Sequence, residues 1–127
     1  MNKDYVYIVA GDCMKDKFNK LYLSYNSIPF REDFSKGYYT KPFFSDEFIN
    51  NRCIVHNTTI ADYIDKLSPI INLDFNKEYV LCFGEDDCCK ANLKFMIDYL
   101  KSNNYKYNIR IMILNEETLD IINEYSL

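Results

Sequence analysis

The segment from Tyr79 to Leu100 constrains the fold more than any other part of the chain. It begins with the apolar run YVLCF, passes through a single glycine into the acidic turn Glu85–Asp87, and ends in residues with helical apolar spacing. A short uninterrupted apolar run is typical of a strand that is covered on both faces. The segment therefore predicts a buried strand over 79–83, a tight turn, and an amphipathic helix over 87–102.

Two further segments repeat parts of this pattern. The apolar run Tyr5–Ala10 leads through Gly11 and Asp12 into a helical stripe that ends near Leu21, and Asp12 is placed to cap that helix. Near the end of the chain, a third apolar run over Ile109–Leu114 predicts a strand. We expect a final helix from about Glu116 to Tyr125.

The middle of the chain is less regular. Leu21–Phe30 predicts one short strand, and Arg31–Pro42 predicts a surface loop because it holds charges, a glycine and a proline. Ser45 is a suitable cap for a helix that extends to Arg52 or beyond, with two carboxylates in its first turn.

A second central helix is predicted to start at Thr58 or Thr59 and to stop before Pro69. With this helix, apolar strands alternate with amphipathic helices along most of the chain. Such alternation predicts an α/β fold: a single three-layer domain over residues 1–127, with a mainly parallel sheet of about four strands and helices on both faces.

Composition excludes several classes of protein. The 127 residues lack any apolar run of the roughly 18 to 20 residues that a membrane span needs, and Met1–Asp4 does not resemble the start of a signal peptide. Five cysteines, an odd number, favour reduced thiols and a cytoplasmic location. A net charge of −4 without a basic face argues against duplex nucleic acid as a partner.

Three segments resemble one bacterial family. They are IVAGDC at Ile8–Cys13, FREDFSKG at Phe30–Gly37, and the strand and helix from Tyr79 onward. In order and spacing they are similar to the family known as domain of unknown function 1835. The resemblance implies an α/β architecture, and since that family has no settled activity, it implies no particular reaction.

The chain departs from the family pattern at four positions. Cys13 stands where the family usually has serine, Tyr38 where proline is usual, Cys82 where tryptophan is usual, and Lys90 where glutamine is usual. Because several of these are polar positions, the resemblance supports the fold more strongly than a shared chemistry.

The two glycine-containing turns are the predicted site. In a parallel α/β sheet, ligands bind outside the carboxyl ends of the strands, where turns and helix N-termini present backbone N–H groups. Neither turn has a dinucleotide fingerprint or a P-loop pattern, and no catalytic residue is assigned. The predicted ligand-binding residues are Gly11, Asp12, Cys13, Arg31, Ser35, Gly84, Glu85, Asp86 and Asn92.

Each candidate also has a structural interpretation. Asp12 and one of Asp86 or Asp87 are equally suited to cap helices, and Arg31 is as suited to an ion pair as to clamping a phosphate. Cys13 at a helix start is a candidate nucleophile, but His56, the only histidine, lies in the less regular central region.

Three functions follow as hypotheses. The first is binding of a small anionic ligand, such as a nucleotide or sugar phosphate, at the two turns. The second is a protein-interaction module or homo-oligomer that uses an aromatic surface formed by Tyr38, Tyr39, Phe43 and Phe44. The third is a Mg²⁺-dependent hydrolase or phosphotransferase that uses Asp12 and Asp86, although no dedicated metal site is predicted.

Overall fold

The computed structural model describes residues 1–127 and shows an α/β fold with a five-stranded, mostly parallel sheet and four helices. The elements in chain order are β1 (Val6–Ala10), α1 (Gly11–Leu21), β2 (Asn26–Phe30), α2 (Asp46–His56), α3 (Ile60–Ile71), β3 (Tyr79–Phe83), α4 (Asp87–Ser102), β4 (Arg110–Leu114) and β5 (Ile121–Ser126). The predicted α/β class is confirmed, and the sheet has one strand more than the expected four or so.

The order of the strands creates a switch point in the sheet. The strands lie in the order β2-β1-β3-β4-β5, and every pair except β4–β5 is parallel. The chain moves from β1 outward to β2, then returns past β1 to β3 and continues in the opposite direction. In open α/β sheets, the crevice at the carboxyl ends beside such a switch point is the usual ligand site.

The last element corrects one prediction. Residues from Glu116 to Tyr125 do not form a helix, because the chain turns after β4 and returns as the antiparallel strand β5. Asn115 starts the turn: its side-chain oxygen accepts hydrogen bonds from the N–H groups of Glu117 and Thr118, at 2.9 and 3.0 Å. Such an Asx turn offers the backbone an alternative to helical hydrogen bonds.

Three of the predicted helix caps are present. The side chains of Ser45, Thr59 and Asp86 accept hydrogen bonds from backbone N–H groups in the first turns of α2, α3 and α4. Asp12 is not a cap, because α1 follows β1 directly and its first turn already contains Asp12. Its carboxylate is thus free to contact Arg31.

Pro69 does not end α3, contrary to expectation, and the helix continues to Ile71. A proline inside a helix leaves the carbonyl four residues earlier without its N–H partner. Here that carbonyl belongs to Asp65, and the hydroxyl of Ser68 donates to it at 2.8 Å. The side chain next to the proline therefore replaces the missing donor.

Consecutive residues of β1 contribute to two different hydrophobic clusters, as expected for a strand with apolar residues on both faces. Tyr7 and Val9 pack with Met14 and Phe18 of α1. Ile8 belongs to a larger cluster that includes buried side chains of α2, α3 and α4. Helix α1 and the other three helices therefore share separate cores with the sheet.

Candidate functional site

Two pockets lie at the carboxyl ends of the first three strands, and both contain Gly11, Phe30 and Glu32. The first, which we call the loop pocket, has a volume of about 440 Å³. Its lining residues are Gly11, Asp12, Phe30, Arg31, Glu32, Asp33, His56, Thr58, Tyr63, Lys66 and Leu67. The second, the switch pocket, has about 410 Å³. It is lined by Ala10, Gly11, Cys13, Met14, Lys17, Phe30, Glu32, Asp86, Cys88, Cys89, Asn92, Glu116 and Glu117.

The loop pocket has two cationic side chains with unused donors. Arg31 forms an ion pair with Asp12 through its Nε, at 3.0 and 3.1 Å from the two carboxylate oxygens. Its terminal Nη groups make no hydrogen bond, and the exposed Lys66 has no ion-pair partner. A guanidinium with free terminal nitrogens can accept a phosphate or carboxylate in a two-pronged geometry.

Glu32 and Arg52 form a buried ion pair behind this pocket. Arg52 donates from Nε and Nη2 to the two carboxylate oxygens of Glu32, at 3.0 and 2.8 Å, and neither side chain is exposed to solvent. The Tyr63 hydroxyl donates to the same carboxylate at 2.6 Å. His56, which is about one quarter exposed, contacts it through Nε2. We call Glu32, Arg52, His56 and Tyr63 the anchor cluster.

The anchor cluster also fixes the loop that follows β2. Arg52 donates to the carbonyl oxygens of Asp33, Lys36 and Tyr38, at 2.9 to 3.0 Å. From α4, the Asn92 amide donates to the Glu32 carbonyl at 2.7 Å, and its oxygen accepts from the Phe34 N–H at 2.9 Å. The loop is therefore attached to α2 and α4 and forms a fixed wall of both pockets.

The anchor cluster holds Glu32 in its ionised form. Burial alone would raise the pKa of Glu32, but hydrogen bonds from Arg52 and Tyr63 outweigh it, and the pKa lies below its ordinary value of 4.5. The same environment raises the pKa of the Tyr63 hydroxyl, through burial and the neighbouring carboxylate. Glu32 therefore stays charged and Tyr63 stays protonated near neutral pH.

The lowered pKa of Glu32 predicts a loss of stability in acid. A carboxylate with a depressed folded-state pKa stabilises the fold above its unfolded-state value, and this contribution disappears as the pH falls through the folded-state pKa. We expect the difference in free energy of unfolding between wild type and Glu32→Gln to be large at pH 7 and to shrink below pH 4.5. Urea titrations at a series of pH values measure it. An exposed control, Glu117→Gln, should differ little from wild type, and a Glu32→Gln difference that stayed constant with pH would contradict the prediction.

The switch pocket is acidic at the turn between β3 and α4. The ligand atoms of Asp86, Cys89 and Glu116 lie within 4.8 Å of one another. The Asp86 pKa is lowered, mainly by the Cys89 N–H, whereas the hydrogen bond to Asp86 raises the pKa of Glu116. Burial raises the pKa of the Cys89 thiol to about 12. Two carboxylates and a sulfur could hold a divalent cation, and a sulfur donor suits zinc better than magnesium.

Glu116 also covers the glycine of this turn. A Cβ atom on Gly84 would lie 2.1 Å from the Glu116 Oε1 atom. The glycine thus permits close approach, as its position in the turn suggests, but the group that approaches is a side chain of the same molecule. A ligand reaches the Gly84 backbone only if Glu116 moves.

The structure brings some predicted site residues together and separates others. Gly11, Asp12 and Arg31 line the loop pocket, whereas Cys13, Asp86 and Asn92 line the switch pocket beside Gly11. Ser35, Gly84 and Glu85 line neither pocket. The Ser35 hydroxyl donates to Asp33, and Glu85 lies in a shallow acidic depression next to Asp86. Asn92 is buried and fully engaged with the loop, so its role is to position that loop.

The sequence did not single out the residues that complete these pockets. From the sequence, Tyr63, Lys66 and Glu116 have no assigned role in a site, and His56 is considered only as the histidine that a Cys13 nucleophile would need. A signal was present for Arg52, because it shares a helical face with three apolar residues. These are Phe48, Ile49 and Cys53, all of them buried.

The proposed aromatic surface is mostly internal. Tyr39, Phe43 and Phe44 pack against the larger core, with ring centroids 5.5, 5.2 and 5.8 Å from that of Phe95. Only Tyr38 is well exposed, at 67% of its surface. These four residues therefore do not form a continuous docking surface.

Comparison with protein-family models, with curated proteins and with solved structures found no match. No helix has both the length and the apolar character needed to cross a membrane. The functional argument accordingly depends on the geometry of the two pockets.

Proposed function

We propose that this protein binds a small anionic ligand, such as a nucleotide or sugar phosphate, with the anionic group in the loop pocket. The observation that carries the proposal is the pair of cationic side chains, Arg31 and Lys66, with unused donors at the carboxyl ends of β1 and β2. Because Arg31 is already oriented by Asp12, little side-chain freedom is lost when an anion binds.

The size and composition of the crevice support a ligand of this kind. A volume of about 440 Å³ falls within the range of about 300 to 1,000 Å³ that is typical of small-molecule pockets. Phe30 and Leu67 provide apolar surface, and Thr58 provides a hydroxyl group for hydrogen bonding. The rest of the ligand would extend past Gly11 toward the switch pocket, which lies at the switch point of the sheet.

Of the two carboxylates predicted for the metal-dependent alternative, only Asp86 lies in a group of side chains that could bind a metal ion. Asp12 pairs with Arg31 in the loop pocket, whereas Asp86 converges with Glu116 and Cys89 in the switch pocket. A divalent cation at the second group would stand beside a phosphate ligand, where it could assist hydrolysis or phosphoryl transfer. This function ranks second, since it needs an ion in addition to the ligand.

We also propose that this chain is related to the family known as domain of unknown function 1835, and that the protein is located in the cytoplasm. These two proposals are supported by the three similar segments and by five cysteines that are all free thiols. Neither is needed for the binding test, which can be done on the purified chain.

The test is a thermal-shift screen against nucleotides and sugar phosphates, each with and without Mg²⁺ and Zn²⁺. For a compound that stabilises the wild type, we expect Arg31→Ala and Lys66→Ala each to weaken binding by about 10- to 100-fold, since a hydrogen bond to a charged group contributes about 1.5–3 kcal/mol. Calorimetry measures the dissociation constants. The matched control is Lys94→Ala, an exposed lysine of α4 that lines neither pocket.

Three outcomes are distinguished. Loss of binding in Arg31→Ala and Lys66→Ala but not in Lys94→Ala supports the loop pocket. Stabilisation only by metal ions, abolished in Glu116→Gln, would favour the metal-dependent alternative. A screen without any hit, or binding unaffected by both pocket variants, would refute the proposal. Gly11→Ala is a poor test, because Gly11 has a φ of +77° and a side chain there strains the backbone whatever the ligand does.

A further inference from the structure

The last strand, β5, is an edge strand with one side open to solvent, and the binding proposal gives this feature no role. All six of its residues are exposed, and it pairs with β4 alone. Ile121, Ile122 and Tyr125 expose 45%, 47% and 39% of their surfaces. Edge strands of soluble proteins are usually blocked by lysine, proline or a covering segment. The sequence of β5 contains neither lysine nor proline.

The outer edge of β5 presents backbone groups that β4 does not use. The Leu127 N–H, just after β5, donates to the carbonyl of Ile109, the residue that precedes β4, at 3.0 Å. Since donors alternate along an antiparallel strand, the N–H groups of Ser126 and Glu124 point to the open side. The Glu124 N–H is met only by the side chain of its neighbour Asn123, at 2.9 Å. A bulge near Ile122 limits the regular edge to the residues that follow it.

We propose that β5 pairs with β5 of a second copy of this chain, antiparallel about a two-fold axis at Tyr125. An antiparallel edge is complementary to itself, so each new hydrogen bond occurs twice. In this register Glu124 lies opposite Ser126 of the second copy, and the two exchange backbone hydrogen bonds. The two Tyr125 rings meet at the axis, in a non-hydrogen-bonded pair where side chains are closest.

Two features favour a dimer in this register: the negative charge of Glu124, and a proline in the strand at the opposite edge of the sheet. A register centred on Glu124 would place two carboxylates opposite each other, which is unfavourable. At the other edge of the sheet, β2 contains Pro29, which has no N–H to donate. Pairing is therefore open on one side of the sheet only, and the assembly closes as a dimer with ten strands instead of growing into a fibre.

The test compares two prolines at adjacent positions. Ser126→Pro removes an outward donor and leaves the β4 ladder intact, whereas Leu127→Pro removes an inward donor and leaves the outer edge intact. By sedimentation velocity over a range of concentrations, we expect a dimer for wild type and for Leu127→Pro. For Ser126→Pro we expect a dissociation constant higher by about 10-fold or more, since two hydrogen bonds are lost per dimer.

A cross-linking experiment keeps the proposal testable if a proline variant fails to fold. In a Cys13→Ser background, which removes the one exposed thiol, mild oxidation of Tyr125→Cys should give a disulfide-linked dimer. The control is Leu23→Cys, at a position that is 87% exposed but distant from β5 in the sequence. Its oxidation should not give a linked dimer. A wild type that remains monomeric at all concentrations, or equal cross-linking of the two cysteine variants, would overturn the proposal.

Discussion

Arg52→Ala should lower the free energy of unfolding by about 3–5 kcal/mol, the usual cost of removing one partner from a buried ion pair. The change leaves the Glu32 carboxylate without its two-pronged partner in a place that no solvent reaches. It also removes the donors that hold the carbonyls of Asp33, Lys36 and Tyr38. Urea denaturation monitored by circular dichroism measures the effect.

The control for Arg52 is the other arginine ion pair at the site. Arg31→Ala breaks a contact to Asp12 in which the two side chains are 35% and 64% exposed, and pairs of this kind contribute about 0–1 kcal/mol. The double variant Arg52→Met with Glu32→Met should recover part of the stability, because it leaves no unpaired buried charge. If Arg52→Ala were no worse than Arg31→Ala, the anchor cluster would not be what holds the loop.

Phe95→Ala should cost about 3–5 kcal/mol, as large-to-small changes of buried aromatic residues usually do. Phe95 is fully buried at the centre of the larger core, where its ring is stacked on Phe34 with centroids 4.0 Å apart. It also packs against Tyr99 and Phe30. The cavity left by the ring would lie directly under the loop, so we expect ligand binding in the loop pocket to weaken as well.

Phe75 provides the matched control for this substitution. It is only partly buried and has a single aromatic neighbour, Tyr99, at 5.5 Å. Phe75→Ala should therefore cost much less than Phe95→Ala in the same urea titration. Equal losses for the two variants would mean that the cluster around Phe95 adjusts to fill the cavity, and that the loop does not depend on it.

The fold was easier to predict from the sequence than the site. Most strands and helices depend on residues that are close together in the chain, whereas the site depends on contacts between distant residues. The bounds of β3 and α4 follow from local signals, namely an apolar run and a capping aspartate, Asp86. The final strand was mistaken for a helix because its antiparallel partner, β4, is what stabilises it. Tertiary pairing of this kind overrides local propensity.

The site depends on contacts between distant parts of the chain. Glu32 and Arg52 are 20 residues apart, and Asn92 reaches the Glu32 carbonyl across 60 residues. No local spacing predicts such pairs. What the sequence did contain was an arginine on the apolar face of α2, and a buried arginine requires an acidic partner. Glu32 lies in the segment FREDFSKG, which also contains the predicted ligand-binding residues Arg31 and Ser35. It was therefore a reasonable candidate for the acidic partner of Arg52.

Glu116 affects which of the two pockets an external anion can occupy. The N-terminus of α4 would ordinarily attract an anion, but the Asp86 and Glu116 carboxylates already occupy that position. A tethered group competes at an effective concentration in the millimolar range or above. The carboxylates at the β3–α4 turn thus act as built-in competitors for an anion there. On the Arg31 side of the crevice, Asp12 engages only the Nε of Arg31, so the terminal Nη groups remain available to an external anion.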